Sequence, residues 1–270
     1  MVDAAGERRA AAARGGPGSA STLDTLHVFI ESDLKARYGR GRGKLLKWLL
    51  DPFAATGVYL LLVAFVLDRG GEAPGLMIAC ATVPFQLVMM SVVNGLSAVD
   101  RRRSIVLNMG FDRTLIPFAG VLTESVAFAA SLTLLAVMMA AYGIAPTLAV
   151  LWLPVVLAAT LLLGVALAYP CALLGVWFSD LRTFVVSFVR TLFFVSAGLV
   201  ALAQVPPGPA QWLKLNPLTG LFEAYRDVLL YGQRPAAWEL LIPVGFSVVM
   251  LAAVLPLYAR EQHQFAKVVE

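Results

Sequence analysis

The sequence predicts an all-α integral membrane protein with six transmembrane helices, an N-terminal amphipathic interface helix and re-entrant extracellular helices between spans five and six. Three observations carry that prediction. Between Glu124 and Asp180 no residue is charged, and no helix of a soluble core stays apolar on every side for that length. A bilayer crossing takes about 20 apolar residues, so this run holds two crossings, joined at the Gly143–Pro146 turn. The whole chain agrees: 59% of its 270 residues are hydrophobic, 14% are charged, and the mean hydropathy is +0.79, against roughly 25% charged residues in a soluble domain.

Residues 1–22 are rich in Ala, Gly and Arg and show no apolar period, which suits a disordered cytosolic tail. No apolar core follows the basic start, so this is not a secretory signal. Residues 23–46 form the interface unit. Ser21 and Asp24 are spaced as a capping box. Leu26, Phe29, Ile30, Leu34 and Tyr38 share one helical face, while His27, Glu31 and Lys35 occupy another. A basic segment follows, with Arg37, Arg40, Arg42, Lys44 and Lys47. Its Gly39–Lys44 stretch is similar to a phosphate loop, but Leu45 stands where a hydroxyl should hold magnesium and no strand precedes it.

Residues 47–270 form the transmembrane domain. Apolar spans are predicted at 48–67, 75–99, 115–142, 147–178, 183–205 and 240–258. The basic segment, Arg101, Arg102, Arg103 and Arg113 in the second-to-third loop, and Arg182 in the fourth-to-fifth loop all fall on one side. Opposite them the first loop holds Arg69 alone and the third holds no Lys or Arg, so both termini are placed in the cytosol. In the longer loop before span six, Asn216-Pro217 reads as a cap with Pro at the first helical position. A short amphipathic helix follows on the outer side, with Leu221, Phe222, Tyr225, Val228 and Leu229 on one face and Glu223, Arg226 and Asp227 beside it. Such a piece dips between spans only where protein or a wet cavity covers it.

No catalytic constellation is legible. His27 and His263 lie in the flanks, Cys80 and Cys171 sit in apolar runs, and no metal-binding or nucleotide-binding spacing occurs. Transport is the better class. Arg190 lies within span five and Glu124 within span three. An arginine at mid-membrane costs about 2.5–3.5 kcal/mol on insertion scales. It therefore faces a cavity and attracts an anionic cargo, pairs with Glu124, or snorkels to the interface. Phe184, Phe188, Phe193 and Phe194 give span five a row of rings for stacking on sugar faces, or for lipid and core packing. The loop Asp100–Pro117 suits docking of a cytosolic partner through charge and one apolar anchor, or anchoring to anionic lipid.

Several stretches together resemble one family, the ABC-2 type permeases that export polysaccharides, O-antigen and teichoic acids. Asp33-Leu-Lys35-Ala-Arg37-Tyr38, with Trp48 and Pro52, is similar to the family's approach to its first span. Asn108-Met-Gly-Phe111-Asp112-Arg113-Thr-Leu-Ile-Pro117 looks like its loop pattern, with Asp112 where the family has proline. Phe178-Ser-Asp180-Leu-Arg182 resembles its short cytosolic turn. Asn216-Pro217-Leu-Thr-Gly-Leu-Phe-Glu223-Ala-Tyr225-Arg226-Asp227 is close to its most distinctive motif, and Phe265–Glu270 is similar to its ending.

The resemblance implies a permease subunit in the bacterial plasma (inner) membrane. Two copies would form the pore and two copies of a separate ABC ATPase chain would dock below. ATP and magnesium would belong to that partner, and this chain would hold no cofactor and no metal. The cargo would be a glycan or polyol-phosphate polymer (O-antigen, galactan or teichoic-acid-like) on a polyprenyl pyrophosphate, with no nucleic acid involved. On that reading Arg37, Tyr38 and Arg40, with Arg190, Glu124, Phe184, Phe188 and Phe194, line the substrate pathway. Asp33, Lys35, Arg101, Arg102, Arg103, Asp112, Arg113, Asp180 and Arg182 couple to the ATPase. Asn216, Pro217, Glu223, Tyr225, Arg226 and Asp227 form the outer gate. The alternatives are an ABC-2 permease for a drug, antibiotic or small lipid, a membrane-embedded transferase, and a secondary transporter. The last would need internal repeats, and none is visible.

Overall fold

The computed structural model describes residues 22–38, 54, 57–58, 73–103, 112–262 and 264–265. Among these, every regular element is helical: α1 (Thr22–Tyr38), α2 (Pro74–Leu96), α3 (Ala98–Arg101), α4 (Leu115–Ala141), α5 (Leu153–Trp177), α6 (Arg182–Val195), α7 (Pro207–Leu213), α8 (Pro217–Leu229) and α9 (Ala237–Glu261). Four helices are long and apolar enough to cross a membrane: α2, α4, α5 with its leading turn from Leu148, and α9. They fall on predicted spans two, three, four and six. Predicted span one lies outside the described residues apart from Ala54, Gly57 and Val58, as do the tail before Thr22, the 39–47 basic segment, the 104–111 part of the loop, His263 and the last five residues.

α2 is the axis of the bundle, with α4, α5 and α8 packed around it and Leu76, Ile78, Ala79, Ala81 and Val83 fully buried. Small residues set its approach to α5. A Cβ on Gly175 would stand 2.0 Å from the Leu96 carbonyl oxygen, and one on Gly95 would stand 2.7 Å from that of Ala168. Within a membrane, helices gain little from hydrophobic exclusion and depend on such close contact. Cys80 and Cys171 are unpaired and buried, serving as small apolar residues.

Two elements differ from the sequence expectation. The helix of predicted span five stops at Val195 after 14 residues, about 21 Å at ~1.5 Å per residue, short of the ~30 Å hydrocarbon core. The apolar run continues to Val205, but the backbone turns: Ala197 takes a left-handed φ of 57°, and Gly198 N donates to Phe193 O at 3.1 Å, a Schellman-type end. The second difference is α8. Asn216 Oδ1 accepts from Leu218 N at 3.0 Å with Pro217 at the first helical position, as expected. The helix is packed against α2, α5 and α9, however, and its charged side is enclosed with its apolar one: Glu223 and Arg226 are both buried.

α1 also packs on protein. Of its predicted apolar face, Phe29 is buried among Ala98, Val99, Ile116, Tyr169, Tyr258 and Phe265, with Leu26 packed against the same group. Ile30 and Leu34 are half-buried, and His27, Glu31 and Lys35 are exposed. It therefore lies across the arginine-rich end of the bundle, where α2 and α5 finish and α4 and α6 begin.

Candidate functional site

At the arginine-rich end, several of the basic residues are taken up by internal pairing. Arg102 is 6% exposed. Its guanidinium pairs with Asp33 of α1 and stands 5.1 Å over the Phe29 ring, joining α1 to the corner after α3. Arg182 pairs with Asp100 and donates to Gly175 O at 2.6 Å, tying the α5–α6 turn to the same corner. Arg113 donates to Gln262 O at 2.5 Å, and the Tyr169 hydroxyl donates to Thr114 O at 2.9 Å, which holds the start of α4 against α9 and α5. Asp112 Oδ1 accepts from Thr114 N at 3.0 Å. Lys35, Asp100, Arg101, Arg103, Asp112 and Asp180 keep exposed surfaces. The residues expected to couple to an ATPase thus include three arginines whose described contacts brace the fold.

Glu124 and Arg190 do not come together. Glu124 is buried and accepts from Asn94 Nδ2 of α2 at 2.5 Å, and Arg101 Nη1 donates to Asn94 Oδ1 at 3.0 Å. Sequence reasoning passed over Asn94, although an amide inside a 23-residue apolar helix was the available signal. Arg190 lies on the exposed face of α6. That face also carries Thr183, Ser187 and Thr191, with Phe184 68% exposed, Phe188 55% and Phe194 53%. The Phe184 and Phe188 rings stack at 6.5 Å between centroids. Phe193 points the other way, 1% exposed, against Phe85 and Phe222. Arg37 and Tyr38 fall at the end of α1, where nothing of their side chains is described, and Arg40 lies outside the described residues.

At the opposite end, the residues expected to form a gate divide. Arg226 is fully buried. Nη1 donates to Glu223 Oε1 at 2.5 Å and to Val200 O at 3.1 Å, Nη2 to Ala197 O and Gly198 O at 3.0 Å each, and Nε to Met77 O at 3.3 Å. Glu223 Oε1 also accepts from Leu202 N at 3.0 Å. Asn216 Nδ2 donates to Ser196 Oγ at 2.7 Å, and Tyr225 Oη meets Thr160 Oγ1 of α5 at 3.1 Å. Asp227 sits nearer the surface and accepts from Gln233 Nε2 at 3.1 Å; burial pushes its carboxyl above the ordinary aspartate range. Ser196-Ala197-Gly198, a helix-stop signal in the sequence, was hidden by the apolar residues on both sides of it.

An arginine-rich end, apolar helices of crossing length and buried charges paired within the bundle define a multi-pass helical membrane protein. Over 247 residues the chain is 30% identical to the O-antigen export system permease protein RfbA of Myxococcus xanthus, covering 90% of this chain and 94% of that protein. Two proteins of the same name from Klebsiella pneumoniae are each 22% identical over 248 residues, covering 91% of this chain and 95% of theirs. No family model matches the chain. The chain belongs to the O-antigen exporter family of ABC-2 type permeases.

Proposed function

We propose that this chain is the membrane-spanning permease subunit of an ATP-driven exporter that passes a polyprenyl-pyrophosphate-linked polysaccharide from the cytosolic to the outer leaflet of the plasma membrane. The arginine-rich end faces the cytosol, following the positive-inside rule. Two copies form the conduit and two ATPase chains dock at the arginine-rich end, where the α1 brace through Asp33 and Arg102 passes their motion to α2. Arg37, Tyr38 and Arg40 receive the diphosphate head group, whose oxygens suit guanidinium donors. Glu124, held by Asn94, fixes the α2–α4 contact behind the pathway. The gate residues from Asn216 to Asp227 frame the outer mouth.

Beyond the family, one observation supports this reading: the exposed face of α6. Lipid alone would favour wholly apolar side chains there, whereas this face carries an arginine and three hydroxyls among its three phenylalanines. Aromatic faces stack on sugar rings, hydroxyls exchange hydrogen bonds with them, and Arg190 attracts the anionic part of the cargo at a membrane depth where a lone charge is costly. The test is Arg190→Ala in cells carrying the partner ATPase. Export and cargo-stimulated ATP hydrolysis are expected to fall at least tenfold while the chain still co-purifies with the ATPase. Unchanged export would remove Arg190 from the pathway, and failure to co-purify with any ATPase would remove the ATP-driven reading.

A further inference from the structure

We propose that Arg226 is a positioning residue that welds α8, residues 197–202 and α2 into one rigid body, so that the outer mouth opens by movement of α7 alone. The inference rests on the export reading for the meaning of the mouth, and on geometry for the weld.

A guanidinium has five N–H donors, and here each has an acceptor: the carbonyls of Ala197, Gly198, Val200 and Met77, and the Glu223 carboxylate. Residues 197–201 lie outside any helix, so the carbonyls at the broken end of α6 lack the partners a continuing helix would supply. One side chain from α8 satisfies three of them and reaches α2 as well. Glu223 completes the arrangement from the same helix, binding Leu202 N with the oxygen that holds Arg226. Sliding α8 away would strand a buried cation and several buried carbonyls at once. Such a unit moves whole or not at all.

Immediately beyond Leu202 the character changes. No residue from Ala203 to Leu215 is buried, α7 contributes nothing to the core, and a Cβ on Gly208 would meet nothing within 4 Å. Burial resumes at Leu218, two residues after the Asn216 cap. The segment 203–215 is therefore a strap with fixed ends, welded by Glu223 and Arg226 before it and capped by Asn216 after it. Its described side-chain tie to the bundle is at the rim, the Lys214 ammonium 5.4 Å over the Trp238 ring of α9.

The experiment uses full-length chain with its partner ATPase in intact cells, after replacing Cys80 and Cys171 by alanine. Single cysteines are introduced at Ala210 in α7 and at Ala224 in α8, and a membrane-impermeant maleimide is added outside, with the cells energised or depleted of ATP. Labelling at Ala210 is expected to change several-fold with energisation, and Ala224 is expected to stay protected in both states. Arg226→Lys keeps the charge but carries fewer donors in the wrong geometry. It is expected to raise labelling at Ala224 at least tenfold while leaving co-purification with the ATPase intact. Labelling of Ala224 during turnover in the chain that retains Arg226 would overturn the weld, and so would full protection of Ala224 in the lysine variant. If the lysine variant fails to reach the membrane, the Arg226 arm decides alone. Glycan export in the same cells separates the two layers: flat labelling at Ala210 while export continues overturns the strap, whereas absent export counts against the export reading and leaves the Ala224 comparison standing.

Discussion

Replacing Asp33 by asparagine should loosen α1 without unfolding the bundle. In the structure Arg102 is almost wholly enclosed, its side chain 7% exposed, while the Asp33 side chain is 32% exposed. Two unit charges about 4 Å apart interact by about 4 kcal/mol at an effective dielectric near 20. A partner one-third open to water recovers much of that as hydration, which places the pair between the exposed limit of about 0.2–1 kcal/mol and the buried limit of about 3–5 kcal/mol. We take about 2 kcal/mol. The Phe29 ring beneath the guanidinium retains a further ~0.5–1 kcal/mol of cation–π attraction, so Arg102→Ala should cost more than Asp33→Asn. The assay is hydrogen exchange of the 22–38 amides in the membrane-embedded complex. Asp33→Asn should speed their exchange about 25-fold, since ~1.4 kcal/mol corresponds to tenfold, and should leave α2 untouched. Coupled ATP hydrolysis should fall in step if α1 transmits motion. In a double-mutant cycle the pair should show a coupling of about 1–2 kcal/mol. Additivity within ~0.5 kcal/mol, or unchanged α1 protection in Asp33→Asn, would refute the brace.

Three further outcomes follow from particular positions. Ala197→Gly should stabilise the protein by about 1 kcal/mol in detergent unfolding, because a left-handed φ of 57° costs an L-residue roughly 1–2 kcal/mol; a loss of stability would mean the turn depends on the alanine methyl. Gly175→Ala should destabilise by about 1–3 kcal/mol, since its Cβ would press 2.0 Å from Leu96 O and push α2 off α5, while Gly245→Ala, with nothing within 4 Å, should be neutral or stabilising. Asp227→Asn should remove a fall of stability with rising pH. Burial raises the folded carboxyl above its unfolded value, so its contribution is fully present below the ordinary aspartate pKa and is lost as pH rises through the raised value; thermal unfolding from about pH 4 to 7 checks the sign, and an unchanged slope would discount it.

How much of this was legible in the sequence depends on which quantity the chain has to satisfy. α2, α4, α5 and α9 were readable because a bilayer imposes a length on apolar runs, and hydropathy summed over some 20 residues reports it. The end of α6 was not, because the run from Phe193 to Val205 stays apolar through the break; the turn at Ser196–Gly198 is stabilised by Arg226, 29 residues from Ala197 in sequence. The same limit applies to α8. Periodicity identified its apolar stripe, but it cannot tell charges facing water from charges facing buried carbonyls, so Glu223 and Arg226 read as a wet side. Arg190 and Glu124 invited pairing as isolated charges in spans five and three, and only packing reveals that Asn94 is beside Glu124. The arginines of that end were legible as a cluster, but the aspartates they take were not, because Asp33 and Arg102 belong to separate elements.

The break in α6 gives the proposed conduit its form. By starting at Arg182, beside the arginine-rich corner, and stopping at Val195, α6 presents Phe184, Phe188, Arg190 and Phe194 over about 15 Å of rise, on the side nearer the arginine-rich end. Beyond Val195 the chain turns aside, and the exposed strap from Ala203 to Leu215 follows. The break also creates unpaired carbonyls inside an apolar bundle, which require a donor with no solvent at hand. A buried arginine is the side chain that can serve several carbonyls at once without losing its charge, and its own cost is limited by a carboxylate from the same helix. The unusual charges of α8 are thus the structural consequence of shortening α6, and a chain with an unbroken fifth span would have no use for either Glu223 or Arg226.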